Sequence, residues 1–246
     1  MESRLYEALG LGNGAKVLDA GCGVGHVAIY LAQRGLRIHG IDVVSSHLKK
    51  ARKNVKANGL DDRIQLDIAD YQDLHILEDS TFDGVYTMET FVHATDPSVA
   101  LEEFHRVLKP GGKLALFEYD HAASNDLPSE VLKNMMEVNK HAAMPANQSF
   151  EPGVLEQLLS EAGFEDVRIE DISENIMPML WLFYIVAYIP YLLIKLFGLR
   201  SHFINTMAAA EGYEAMKKRY TRYIIVTARK PAPHQPEARK DAKKGR

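Results

Sequence analysis

The chain has 246 residues, 46% hydrophobic and 25% charged, a composition that excludes collagen-like, disordered and multi-spanning membrane classes. Cys22 is its only cysteine, which excludes intramolecular disulfides and multi-cysteine metal sites, and the opening residues lack a signal peptide's apolar core, so a cytoplasmic chain is expected. The net charge of −4 is uneven: residues 229–246 hold seven basic residues against two acidic ones, leaving −9 on residues 1–228 and weighing against nucleic acid as a partner.

From residue 16 onward strand and helix signals alternate through KVLDA, GHVAIYLAQRG, LRIHGID, SSHLKKARKNVKANG and RIQLDIAD. This order predicts an α/β fold with a doubly wound, mostly parallel sheet. FDGVYTM reads as the next strand. A helix over 97–108 follows, with Asp96 as its cap, Pro97 at its first position, and Ala100, Leu101, Phe104, Val107 and Leu108 on one apolar face. Lys109-Pro110-Gly111-Gly112 stops it before the strand GKLALFEYD. Residues 128–141 read as helical, and Val154, Leu155, Leu158, Leu159 and Ala162 form a buried stripe closed by Gly163. Two late strands, FEDVRIEDI and RYIIVTARK, enclose an insertion over 174–220.

The middle of that insertion, 176–194, is nineteen residues without a charge, which reaches the length of a membrane span. Topology argues against a crossing, because the strands on either side belong to one sheet, and Pro178 and Pro190 divide the run. Three readings stay open: a lid over an apolar substrate pocket, a segment lying in a membrane interface together with the basic tail, and plain core. An intracellular membrane surface therefore remains open as a location. Residues 231–246 are expected to be disordered, leaving 1–230 as the folded domain.

The segment VLDAGCGVG places Gly21, Gly23 and Gly25 at the exit of the first strand, where missing Cβ atoms let a ligand approach the backbone. The dinucleotide fingerprint would need a glycine at position 26, which is His26. Asp19, two residues before the loop, suits an ammonium group better than a pyrophosphate. Asp42 ends the second strand about 20 residues after the first glycine, where a carboxylate can take both ribose hydroxyls. After the third strand Asp70 is placed to accept from an adenine amino group, and Tyr71 or Val43 to flank the ring. An ordinary turn carboxylate and a half-buried aromatic are the plainer readings of Asp70 and Tyr71. Cys22 reads as a small loop residue.

VLDAGCGVG, Asp42 and RVLKPGGKLALFEYD together resemble the class I S-adenosylmethionine-dependent methyltransferases. Tyr86, Glu89, His93 and Ala94 also match the sterol C-methyltransferase signature that follows the fourth strand, although the residues between Glu89 and His93 differ from it. The resemblance implies a seven-stranded Rossmann-like sheet and S-adenosyl-L-methionine as cofactor, held by Asp19, Gly21, Cys22, Gly23, Gly25, Asp42, Val43, Asp70, Tyr71 and Met88. It also implies methyl transfer to carbon or oxygen of a hydrophobic small molecule such as a sterol, terpenoid, polyketide or prenylated ring. Glu89 and His93, four apart, would share a face if they lay on a helical turn; His93 would then take a proton and Glu89 would stabilise developing positive charge. That group carries a substantial capping segment before the first strand, where fifteen residues precede Lys16 here. The alternative is thus a non-catalytic or partner-dependent cofactor-binding subunit, and homo-oligomerisation stays open. No metal is expected.

Overall fold

The computed structural model describes residues 1–199 and 202–233. Seven strands, β1 (Lys16–Ala20), β2 (Arg37–Asp42), β3 (Ile64–Ile68), β4 (Phe82–Met88), β5 (Leu108–His121), β6 (Glu165–Asp171) and β7 (Thr221–Arg229), form one sheet in the order β3-β2-β1-β4-β5-β7-β6. The first five are parallel, and β7 runs antiparallel to both β5 and β6. This is the expected doubly wound sheet, and it brings the carboxyl ends of β1 to β5 to one edge.

Helices α1 (Glu2–Leu9), α2 (His26–Gln33) and α3 (Ser45–Ala57) belong to one face of the sheet, and α4 (Pro97–Val107) and α6 (Val154–Glu161) to the other. The period-two alternation of the strands supplies both cores. Leu114 and Leu116 of β5, with Ile224 and Val226 of β7, join the α4–α6 side, while Ala115, Phe117, Tyr223 and Ile225 join the α1–α3 side. Asp96 caps α4 by accepting from Ser98 and Val99 with Pro97 at the first position, as the sequence predicts. Residues 2–9, which carry no strand or loop motif, form a helix with Leu5 and Leu9 fully buried.

The insertion departs from expectation in one respect. The prolines do not divide it: α7 (Ser173–Leu196) runs unbroken for 24 residues with Pro178 and Pro190 inside, and α8 (Ile204–Lys217) returns beside it. Pro190 forgoes one bond to the carbonyl of Val186, on an exposed stretch, and packing against α8, such as Tyr184 on Tyr213 at 5.0 Å, offsets that loss. Helix α5 (Ser129–His141) lies against α8. The basic tail falls, from residue 234 onward, outside the described residues.

Candidate active site

The loop from β1 to α2 carries Gly21, Gly23 and Gly25, all with left-handed backbone (φ 96, 53 and 81). At Gly21 a Cβ would lie 2.7 Å from Thr90, so the loop is pressed against the segment that follows β4. At Gly23 a Cβ would meet nothing within 4 Å: this side of the loop is open to a ligand. Asp42 fixes the loop from β2, its Oδ2 accepting the Gly23 amide at 2.8 Å and its Oδ1 the Val44 amide at 2.7 Å. Each carboxylate oxygen keeps acceptor capacity for a hydroxyl.

Asp19 is 3% exposed, and its Oδ2 has no hydrogen-bond partner. Burial, with the charge of Asp42 adding, pushes its pKa up to about 7, against the opposing influence of the Tyr86 hydroxyl. An orphaned buried carboxyl beside an open glycine loop fits a ligand with an ammonium group. Val43 and Ile68, at the carboxyl ends of β2 and β3, leave apolar side chains 62% and 59% exposed, a setting for a planar ring. Ile68 is in register with Asp42 and was not singled out from sequence.

Tyr71 is turned inward. Its ring packs 5.9 Å from Phe104 and its hydroxyl donates to the Thr90 carbonyl at 2.8 Å, so the aromatic core takes the side chain expected beside the adenine. Asp70 is exposed and closes an Asx turn by accepting the Gln72 amide at 2.9 Å, with its second oxygen left over. Met88 ends β4 in register with Phe117 and packs on the α1–α3 side. Burial raises the pKa of the Cys22 thiol, and the nearby charges of Asp19 and Asp42 raise it further, which disfavours the thiolate.

Glu89 and His93 do not share a helical face. Glu89 adopts φ 57, and the chain then makes a short 3₁₀ turn, Phe91–His93, too tight to stack residues four apart. The His93 Nδ1 lies 2.7 Å from the Ala143 carbonyl, on an exposed side chain, while the charge of Glu89 is felt at Tyr223 on β7. The segment is held instead by Glu118, one of four residues at the end of β5, with Tyr119, Asp120 and His121, for which the sequence leaves substrate orientation and a plain strand exit equally open. Its fully buried Oε1 accepts from the Thr87 hydroxyl (2.8 Å), the Thr90 amide (3.2 Å) and the Phe91 amide (2.8 Å). Burial outweighs these donors and lifts its pKa to about 7. Of the neighbouring candidates, Asp120 is spent on an ion pair with Arg222, and His121 lies against the carbonyls of Ala122 and Gln148.

Tyr119 is the member of that group that faces a cavity. A chamber of about 590 Å³ lies between α5, α7 and α8, with Tyr119 in its lining. One stripe of α7, Leu180, Tyr184, Tyr188, Tyr191 and Lys195, lines it at helical spacing. The opposite side of α7, including Val186, Ile189 and Leu196, is bare. Among the described residues no group of three or more His, Cys, Asp or Glu is arranged to hold a metal ion.

A glycine loop open on one side, the buried carboxyl of Asp19, Asp42 bonded to that loop, and exposed Val43 and Ile68, on a sheet of this order, have the layout of a class I S-adenosylmethionine-binding fold. Comparison with known proteins agrees: residues 18–116 match the family described as "Methyltransferase domain". The S-adenosyl-L-methionine-dependent Diels-Alderase iccD of Talaromyces variabilis is 38% identical over 235 residues, covering 94% of this chain and 80% of the relative. Methyltransferase GfsG of Streptomyces halstedii is 33% identical over 72% of this chain and 63% of its own length. The crystal structure of the [4+2]-cyclase SpnF superposes with a TM-score of 0.70 at 24% identity, over 94% of this chain and 80% of that one. The chain belongs to the S-adenosylmethionine-dependent methyltransferase family. It is an enzyme of that family, and its cofactor is S-adenosyl-L-methionine.

Proposed function

We propose that the protein binds S-adenosylmethionine over the glycine loop and transfers its methyl group to a carbon or oxygen of an apolar small molecule held in the chamber under α7 and α8. The observation that carries this is the chamber itself, mostly apolar in its lining, with the α7 tyrosines along one wall and Tyr119 of β5 in another. The bound sulfonium supplies an activated methyl group and a positive charge. Asp19 would hold the ammonium group, Asp42 the ribose, and Val43 with Ile68 the base. The remaining task is alignment in a dry site, which is worth roughly 7 to 11 kcal/mol of a barrier. Glu118 serves it by fixing the segment after β4, and the α7 tyrosines serve it by excluding water.

A second reading is favoured by one observation. A match covering 94% of the chain takes in the α7–α8 insertion, and that relative is named a Diels-Alderase. In this reading the same chamber folds an apolar polyene for cycloaddition and the cofactor is retained unchanged. Incubation with S-adenosylmethionine and a panel of apolar polyketide and terpenoid acceptors separates the two. A methylated product with matching S-adenosylhomocysteine supports transfer. An isomer of the substrate, formed without S-adenosylhomocysteine, overturns transfer in favour of cyclisation.

We infer also that the bare side of α7 rests on an anionic membrane surface. Support comes from the length and apolarity of Ser173–Leu196, sufficient for a span and scarcely buried, and from the +5 charge of residues 229–246. Co-sedimentation with phosphatidylserine vesicles that survives both Ile189→Glu and deletion of residues 234–246 would remove this reading.

A further inference from the structure

We propose that Tyr119 binds the substrate directly, its hydroxyl donating to a neutral carbonyl oxygen at the end of the molecule nearest the cofactor loop. This rests on the reading of the chamber as the substrate site. Tyr119 lies two residues past Phe117 in β5, and the Phe117 carbonyl accepts the Glu89 amide at 2.8 Å just beyond the end of β4. Thr90, the next residue, is the one pressed against Gly21 of the glycine loop. The chain of neighbours from that loop through the turn after β4 thus reaches Tyr119, and of these residues Tyr119 alone lines the chamber.

The side chain is braced on one side and open on the other. Its ring packs edge-on against that of Tyr223, its register partner on β7, with centroids 4.7 Å apart and planes at 60°, and Tyr223 is fully buried. The hydroxyls of Tyr86 and Tyr223 are sealed in protein without partners; that of Tyr119, a half-buried residue, is not sealed, and among the described residues it has no hydrogen-bond partner. Burial raises its pKa, and the charges of Glu89 and Glu118 raise it further, so the phenol keeps its proton and remains a donor. The same surroundings select what it can take. A carboxylate or phosphate would be repelled by Glu89. A hydrocarbon that displaces water from the hydroxyl leaves it unpaired, which costs free energy. A neutral carbonyl oxygen supplies the acceptor without the charge, and the apolar body of such a molecule would lie along Leu180, Tyr184 and Met135 of the same cavity.

The test is calorimetric binding to the full chain saturated with S-adenosylhomocysteine, using benzophenone and diphenylmethane, which differ only in the carbonyl. Tyr119→Phe keeps the ring against Tyr223 and removes the hydroxyl. The expected result is that it weakens benzophenone binding by about three- to tenfold, the loss of one hydrogen bond, and leaves diphenylmethane binding unchanged. The infrared carbonyl band of bound benzophenone should also lie at lower frequency in the parent than in the variant. Benzophenone affinity and carbonyl band that are indifferent to the substitution overturn the role of the hydroxyl and leave the chamber standing. An equal loss for both probes overturns it too, since the ring and not the hydroxyl would then carry the contact. Failure of both probes to bind the parent overturns the chamber as the substrate site, and the role of Tyr119 with it.

Discussion

Glu118 accepts the amide hydrogen of Phe91 at 2.8 Å, tying the end of β5 to the turn after β4 from 27 residues away. Replacing Glu118 with Ala strips an acceptor from three donors at once, and the expected cost is roughly 2–4 kcal/mol of stability. Glu118→Gln keeps an acceptor at Oε1 and should keep the fold. Chemical denaturation of the two variants side by side checks this, and an Ala variant as stable as the Gln variant would contradict it.

Glu118 and Asp19 both have folded-state pKa values lifted to about 7 from ordinary values of 4.5 and 3.8. The folded state therefore holds these protons more tightly than the unfolded chain. Their contribution to stability is greatest below about pH 4, falls as pH rises towards 7, and is level above that. Melting temperatures measured from pH 5 to pH 8 should decline less in Asp19→Asn and in Glu118→Gln than in the parent.

For cofactor binding the sign reverses. An ammonium group favours ionised Asp19, so S-adenosylhomocysteine affinity should rise with pH through about 7 and binding should release a proton. Asp19→Asn should flatten that dependence and weaken binding by about 10- to 100-fold, the loss of a charged hydrogen bond. Calorimetry in buffers of different ionisation enthalpy reads both effects.

Two glycines two residues apart should fail in different ways. In Gly21→Ala the new methyl meets Thr90 at 2.7 Å as well as a left-handed φ, so folding is the casualty. In Gly23→Ala the space is open, so the protein should lose only about 1–2 kcal/mol to backbone strain while its cofactor affinity collapses. Thermal melts with and without S-adenosylhomocysteine distinguish the two.

Arg222→Ala leaves Asp120, 4% exposed, without its partner. The expected destabilisation is roughly 2 kcal/mol, below that of a fully buried pair because the guanidinium is partly solvated. The deficit should shrink in acid as Asp120 takes up a proton, which denaturation at pH 4 and pH 7 would show.

The strands and helices were legible because their signals are local: alternation in Leu114 to Phe117, the Asp96-Pro97 cap, the glycines after Ala20. The place of Asp42 at the end of β2 was legible for the same reason. The shared helical face of Glu89 and His93 was misread because spacing of four implies one only where the backbone is helical, and the amides of Thr90 and Phe91 after the left-handed Glu89 are tied to Glu118 on another strand. The sequence could not choose between the two readings of Tyr71, because Phe104, which draws its ring inward, is 33 positions away. The prolines of α7 read as breaks because their local cost is visible in sequence and the compensating contact with α8 is not.

The α7–α8 hairpin leaves the sheet from β6 and re-enters it at β7, and its base is pinned where the Ile172 amide donates to the Tyr223 carbonyl at 2.8 Å and the Tyr223 amide donates to Ser173 Oγ at 3.0 Å. A loop closed so firmly at its stem can change length at little expense, about 0.6 kcal/mol for each doubling. The hairpin is thus a cassette: grafting another family member's residues between Ser173 and Tyr220 should import that protein's choice of substrate, with the cofactor machinery at the other end of the sheet left as it was.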